Sequence, residues 1–254
     1  MRFEKELEIA LAAAKKAAAL ALSYQPGITA EDKADLSPVT RADRESEALI
    51  AAMLLDAFPG DGLLGEEGTN VASSNGRRWI VDPIDGTRDY LRGNPLWANL
   101  IALEVDGEIV AGLVNLPCLG AVYTGVKGGG AYKNGSAIHI SAKTTVAESV
   151  LCMCVFGRPQ IALFKPNLFD WMSEFWAVRG LGGASDAMMV ASGQAEVWLE
   201  PKAAPWDLAP LKVIAEEAGA RFFNFDGGNS AFGGNCIICV PALEEEVKRL
   251  LPPL

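Results

Sequence analysis

The segment Trp79–Asp89, WIVDPIDGTRD, constrains this chain more than any other. The apolar run Trp79–Val81 predicts a short buried strand that delivers Asp82 and Asp85 at its carboxyl end. Pro83 fixes φ and lacks an N–H, so the hydrogen-bonded ladder is expected to end there. Gly86 lets backbone approach a ligand closely, and Thr87 is placed to cap whatever follows. Two carboxylates, a glycine and a hydroxyl at a strand end suit a hard cation and a phosphate. Mg²⁺ takes oxygen ligands, keeps several waters, and is usually held by one or two carboxylates together with phosphate oxygens. An Asx-rich surface turn that binds nothing fits these eleven residues equally well.

The flanking sequence predicts a helix over 3–23, Ala-rich and closed by Gln25-Pro26-Gly27, then a polar loop over 28–39. Thr40 and Asp43 form a capping-box pattern opening a second helix to about Phe58. Leu63-Leu64-Gly65 leads into the adjacent carboxylates Glu66 and Glu67. Residues 97–105, 108–116 and 120–126 read as antiparallel strands, the first two joined at Asp106-Gly107. Beyond a boundary near residue 145 the pattern alternates: a strand over 149–155, helices over 166–177 and 184–192, and a strand over 195–199. A helix over 207–218, strands over 221–225 and 236–240, and a helix over 241–251 complete it. The expected organisation is an α+β half over 1–145 and an α/β half over 146–254.

The 254 residues carry 32 acidic and 22 basic side chains, a net charge of −10, which disfavours a general nucleic-acid binder. An anionic substrate remains compatible with that charge if cations bridge it to acidic ligands. The absence of a long apolar run predicts no membrane span, and the charged start MRFEKELEIA lacks a signal-peptide core, so a cytoplasmic protein is expected. The five cysteines are expected to be reduced, buried thiols, with a redox role or a zinc half-site at Cys236 and Cys239 left open. A single histidine, His139, argues against His-dependent nucleophilic triads.

Carboxylates at expected loop or helix-start positions recur at Asp43, Glu66/Glu67, Asp82/Asp85 and Asp207, the last read as the N-cap of the 207–218 helix, where the helix dipole favours its charge. Each taken singly reads more simply as a cap or a solvated pair. Their order, Asp43 … Glu66-Glu67 … Asp82-Pro83-Ile84-Asp85-Gly86-Thr87 … Trp206-Asp207, resembles the signature of the inositol monophosphatase superfamily of Mg²⁺-dependent, lithium-sensitive phosphatases. The resemblance extends along essentially the whole chain. It implies a layered αβαβα sandwich of mixed α/β class, often homodimeric, with the site where the two halves meet.

The same resemblance implies roles. Glu66, Asp82 and the carbonyl of Ile84 would hold one metal. Asp82, Asp85 and Asp207 would hold a second, and Glu66 a third through waters, giving two or three Mg²⁺ ions. Backbone N–H groups of Gly86 and Thr87 would grip phosphate, while Thr87, paired with Asp43 and acting with Glu66, would orient the attacking water. Glu67 and Lys33 would support the ligands from behind. Glu200, with Asp85, Gly183 and Asp186, would meet the substrate's leaving group; Asp186 either projects into the pocket or decorates its helix. Arg88 and Arg92 either extend into the pocket or lie solvated.

The wording from Lys33 to Arg44 and DGTRDYLRGNPLWANLIAL is most similar to the histidinol-phosphatase-like branch. Gly182-Gly183 departs from that branch, which tends to carry an Asp after a Gly there, and from the Gly-Thr-Ala of the inositol-phosphate branch. The expected partner is therefore a small phosphorylated metabolite, histidinol phosphate or an inositol monophosphate. A 3′-phosphonucleotide or fructose-1,6-bisphosphate phosphatase, or a non-catalytic regulatory protein of the same fold, are the alternatives.

Overall fold

The computed structural model describes residues 2–34, 36–154 and 168–251. Helices α1 (Glu4–Tyr24) and α2 (Arg41–Ala57) pack against each other. Alanine makes this possible: Ala10, Ala13, Ala14, Ala17, Ala18 and Ala21 form the buried face of α1. The Ser46 hydroxyl of α2 donates to the Ala17 carbonyl across the seam at 3.3 Å. Thr40 opens α2 as expected, its hydroxyl accepting from the Ala42 N–H while Asp43 accepts from the Thr40 N–H. The stretch expected to be a loop contains a hairpin of two three-residue strands, β1 (Ala30–Asp32) and β2 (Pro38–Thr40). All of β1 is exposed, so no apolar alternation marks it.

Eight strands form the larger sheet. They are β3 (Gly62–Gly65), β4 (Asn70–Val71), β5 (Arg77–Asp85), β6 (Ala98–Val105), β7 (Glu108–Leu116), β8 (Ala121–Val126), β9 (Gly130–Lys133) and β10 (Ser136–Ala137). Their spatial order is β10-β9-β8-β7-β6-β5-β3-β4, antiparallel except for the β3–β5 pair. A short helix, α3 (Thr87–Leu91), leaves the end of β5. Strand β5 does not end at Pro83: it continues to Asp85 through an irregularity in its pairing with β6.

The second sheet contains β11 (Val150–Cys152), β12 (Ala177–Arg179), β13 (Val197–Glu200), β14 (Arg221–Phe223) and β15 (Cys236–Cys239), in the order β12-β11-β13-β15-β14. Helices α4 (Leu168–Ser173), α5 (Gly183–Ala191), α6 (Pro205–Glu217) and α7 (Glu244–Lys248) complete the described elements. The aromatic segment expected to be helical over 166–177 is helical only over Leu168–Ser173; residues 174–176 form a turn and Ala177 opens β12. Residues 166 and 167, and Val155 of the expected 149–155 strand, lie outside the described residues. The expected C-terminal helix is a 3-10 turn followed by only five α-helical residues.

The layers run α1/α2, larger sheet, α5/α6, smaller sheet, α4/α7. Ile50, Leu54 and the α1 alanines share a core with Trp79, Ile101 and Leu113 of the larger sheet. Its opposite face joins α5, α6, Trp198 and Ile238 in the central core. Leu168, Trp171 and Val247 close the outer face of the smaller sheet. This is the five-layer αβαβα arrangement. No helix among the described residues is long and apolar enough to cross a membrane.

Helix α6 lies close on the larger sheet because glycines stand beneath it. A Cβ at Gly112 would come within 2.7 Å of the Pro210 carbonyl oxygen, and one at Gly125 within 2.8 Å of the Ile214 Cα. The cysteines differ from expectation: Cys118 and Cys154 are exposed, and all five are free. Cys236 faces the central core while Cys239 faces the outer one, so the two thiols point to opposite faces of β15 and cannot form a disulfide or a zinc half-site together.

Candidate active site

A cavity of about 400 Å³ opens between the end of β5, the start of α5 and the start of α6. Glu66, Asp82, Asp85 and Asp207 line it together with Ile84, Gly86, Thr87, Gly183 and Glu200. Carboxylate oxygens of Asp82, Asp85 and Asp207 lie within 4.8 Å of one another, although Asp207 comes from α6 and the other two from the larger sheet.

Each carboxylate is held by backbone. Asp82 Oδ1 accepts from the Ile84 N–H at 2.9 Å, across the turn its own strand makes. Asp85 Oδ2 accepts from the Ala184 N–H at 3.1 Å, at the first turn of α5. That approach requires a bare backbone beside it, since a Cβ on Gly183 would stand 3.0 Å from both Asp85 oxygens. Asp207 is not the N-cap of α6. Pro205 takes the first position, and Asp207, on the third, reaches back to accept from the Ala204 N–H at 2.7 Å. Thr87 likewise does not cap α3. Gly86, with φ +84°, occupies the cap, and the Thr87 hydroxyl lies 3.0 Å from Asp43 Oδ1 and 3.2 Å from the Ile84 carbonyl.

Glu66 and Glu67 both accept from the Lys33 ammonium, at 2.8 and 2.7 Å. The β1–β2 hairpin thus places a cation beside the acidic cluster. Behind them stands Glu47 of α2, buried, accepting from the Glu67 N–H at 2.7 Å and the Thr69 N–H at 2.8 Å. Glu47 had no signal in the sequence beyond its place on the inner face of α2.

Asp186 corrects both alternatives left open for it. Its carboxylate is fully buried, lines no part of the cavity, and accepts from the Leu181 N–H at 3.0 Å and the Gly182 N–H at 3.2 Å. It therefore shapes the 181–183 turn rather than meeting a substrate. Arg88 lines the cavity; Arg92 is exposed and does not. Cavity residues with no sequence signal include Asp89, which accepts from the Asn94 amide at 2.6 Å, the cation Lys202 and the exposed Cys154.

The cluster is electrostatically crowded. Burial, then the charges of Glu66, Asp85 and Asp207, push Asp82 well above the usual carboxylate range. Burial raises Asp85 to about 6, against the pull of the Ala184 N–H, and raises Asp207 to about 8 with Asp85 as the next contributor. Burial also lifts Glu67 to about 7, outweighing Lys33, and lifts Asp43. For Lys33 burial works against the charged form, but the hydrogen bonds to Glu66 and Glu67 win and its pKa rises. Asp82 and Asp85 from the end of β5 and Asp207 from the start of α6 resist ionisation chiefly because they are shielded from water, and secondarily because of neighbouring charges. Together they form an oxygen-only donor set that fits a hard divalent cation.

The sequence profile described as the inositol monophosphatase family matches residues 3–252. A histidinol-phosphatase from Chlorobaculum parvum is 40% identical over 238 residues, covering 92% of this chain and 91% of its own. An inositol-1-monophosphatase from Rhizobium meliloti is 34% identical over 223 residues, covering 84% of each. Among solved structures, the extragenic suppressor protein suhB from Bartonella henselae superposes with a TM-score of 0.89 at 29% identity, covering 98% of both chains.

Proposed function

Because the chain belongs to the inositol monophosphatase family of phosphatases, we propose that it is a Mg²⁺-dependent phosphomonoesterase acting on histidinol phosphate. The observation that supports this most is the convergence of Asp82, Asp85 and Asp207 in one cavity wall beside Glu66, Gly86 and Thr87. Asp82, Asp85 and Asp207 would hold one cation, Glu66, Asp82 and the Ile84 carbonyl another, and Glu66, through waters, a third and weaker one. Bound there, divalent cations offset the charge of a phosphate dianion, acidify water and stabilise a departing alkoxide.

The chain's own groups do the rest. The Gly86 and Thr87 N–H groups orient the phosphate at the start of α3. Glu66, together with the Thr87 hydroxyl that Asp43 anchors, orients a water for in-line attack at phosphorus. The water oxygen bonds to phosphorus as the ester P–O bond breaks, and inorganic phosphate and the free alcohol leave. No protein nucleophile is required.

For the substrate, Glu200 and Asp89 add carboxylates to the cavity wall, where Arg88 and Lys202 also stand, and these acids would suit a leaving group carrying an ammonium. The 40% identity to a histidinol-phosphatase supports the same reading. Inositol monophosphate is the second reading, favoured by the 34% relative. The test is phosphate release from histidinol phosphate, inositol 1-phosphate, fructose 1,6-bisphosphate and 3′-phosphoadenosine 5′-phosphate, with Mg²⁺, with EDTA, and with Mg²⁺ plus Li⁺. Release dominated by histidinol phosphate and lost in EDTA is expected. Equal slow release from all would overturn the substrate, and no release from any would overturn the activity.

A further inference from the structure

In a regular strand, side chains three residues apart point to opposite faces, so Asp82 and Asp85 should not share a site. They do because β5 carries one extra residue between them. Asp82 lies opposite Leu100 and Asp85 opposite Ala98, leaving Pro83 and Ile84 to face the single residue Asn99 of β6. This bulge turns both carboxylates toward one centre.

Such a bulge strips the local ladder of partners. Pro83 has no N–H to offer, and its carbonyl needs a donor in a fully buried setting. Asn99 supplies it: its Nδ2 donates to the Pro83 carbonyl at 2.7 Å. Asn99 Oδ1 in turn accepts from Asn115 Nδ2 at 2.8 Å, and Asn115 is the residue directly opposite Asn99 on β7. Both asparagines are buried, at 0% and 4% exposure, and neither lines the cavity. The orientation of the relay is forced. A carbonyl can only accept, so the NH₂ of Asn99 must face Pro83, and its oxygen is left for a donor, which Asn115 provides.

We propose that the Asn99–Asn115 pair is a positioning device that locks the β5 bulge and thereby sets the spacing of Asp82 and Asp85 for a divalent cation. The proposal rests on the metal-dependent reading above. Neither amide touches the cation or the substrate; both act through the backbone at Pro83. Buried amides are favourable only when fully paired, so the device is also intolerant of partial replacement.

The test measures Mg²⁺ affinity by titration calorimetry, Mg²⁺ half-saturation of phosphate release, and the melting temperature in EDTA. The variants are Asn99→Leu, Asn115→Asp and the Asn99→Leu/Asn115→Leu double. Asn99→Leu is expected to weaken Mg²⁺ binding about 10- to 100-fold, the range for groups that support metal ligands, with kcat at saturating Mg²⁺ little changed. Asn115→Asp conserves volume, and once ionised it can only accept. At a pH high enough to ionise it the Asn99 amide must turn its oxygen toward the Pro83 carbonyl, whereas the protonated acid would still donate to Asn99. The same direction of loss is expected, and this variant decides the matter if Asn99→Leu does not fold. The double variant should lose no more affinity than Asn99→Leu alone, because the two amides act in series. A lower melting temperature in EDTA with unchanged Mg²⁺ affinity would overturn the proposal, leaving the pair a core contact only. Failure of the wild-type protein to bind Mg²⁺ would overturn the metal reading itself, and the relay with it.

Discussion

The Thr87 hydroxyl stands 3.0 Å from Asp43 Oδ1, joining the first turn of α3 to the first turn of α2. The other Asp43 oxygen is already engaged by the Thr40 N–H at 2.8 Å and the Thr40 hydroxyl at 2.5 Å. A residue that looks like a helix cap in sequence is therefore also the anchor of a hydroxyl in the cavity wall. Thr87→Val should leave the fold intact, at a loss of about 1 kcal/mol for the missing hydrogen bond. Phosphate release should fall about 10²-fold or more, in line with the loss of a positioned proton-handling group. Near-wild-type kcat in a folded Thr87→Val protein would remove this pair from the reaction.

Asp82→Asn should abolish phosphate release while leaving the metal-free protein as stable as before or more so. Burial, with the charges of Glu66, Asp85 and Asp207, already disfavours the ionised form of Asp82, so the neutral amide replaces a carboxyl that the metal-free fold holds protonated. Melting curves in EDTA paired with activity in Mg²⁺ check both halves of the expectation.

Mg²⁺ should raise the melting temperature. A ligand at about 100 times its dissociation constant adds about 2.7 kcal/mol. For a chain of this size each kcal/mol corresponds to about 2–4 °C, so a rise of about 5–10 °C is expected. Asp207→Asn should suppress most of that rise; an unchanged shift in that variant would place the ion elsewhere.

The metal-free protein should lose stability as pH rises. Asp85, at about 6, and Asp207, at about 8, sit above their unfolded values, so the folded state holds protons that the unfolded state has released. Their contribution is fully present below the unfolded carboxylate range and is lost progressively as pH climbs through about 6 and then about 8. Saturating Mg²⁺ should flatten this slope, because the cation takes over the role of the protons. Melting temperature against pH, with EDTA and with Mg²⁺, gives the comparison.

Gly112→Ala should damage the site from a distance. The added methyl would meet the Pro210 carbonyl oxygen at 2.7 Å and the Val213 side chain at 2.6 Å, lifting α6 off the sheet. A loss of about 1–3 kcal/mol is expected, as for other overpacked contacts, with weaker Mg²⁺ binding because Asp207 rides on the same helix.

The parts of this structure legible in sequence are those fixed by local pattern. The alanine face of α1, the Thr40–Asp43 box and the Asp106-Gly107 hairpin each announce themselves within a few residues. The acidic set was legible because its members are grouped in short ordered motifs. What stayed hidden depends on contacts between distant segments. Pro83 reads as the end of a strand, and only pairing with β6 shows a bulge. Asp207 reads as a cap until Pro205 is given the first helical position, where a proline's missing N–H costs nothing. Nothing around Asp186 foretells that its carboxylate folds back on Leu181 and Gly182, and Asn99 and Asn115 are ordinary polar residues until two strands align them.

Helix α6 is packed on the larger sheet by one face and on the smaller sheet by another, and its first turn carries Asp207. The two sheets are therefore mechanically coupled through one helix. A change in residue size along either contact would shift the helix, and with it one jaw of the acidic cluster, so the volume of the central layer bears on the chemistry. Attempts to retune the substrate should begin at the wall near Glu200, and leave the floor under α6 and the 181–184 turn that holds Asp85 untouched.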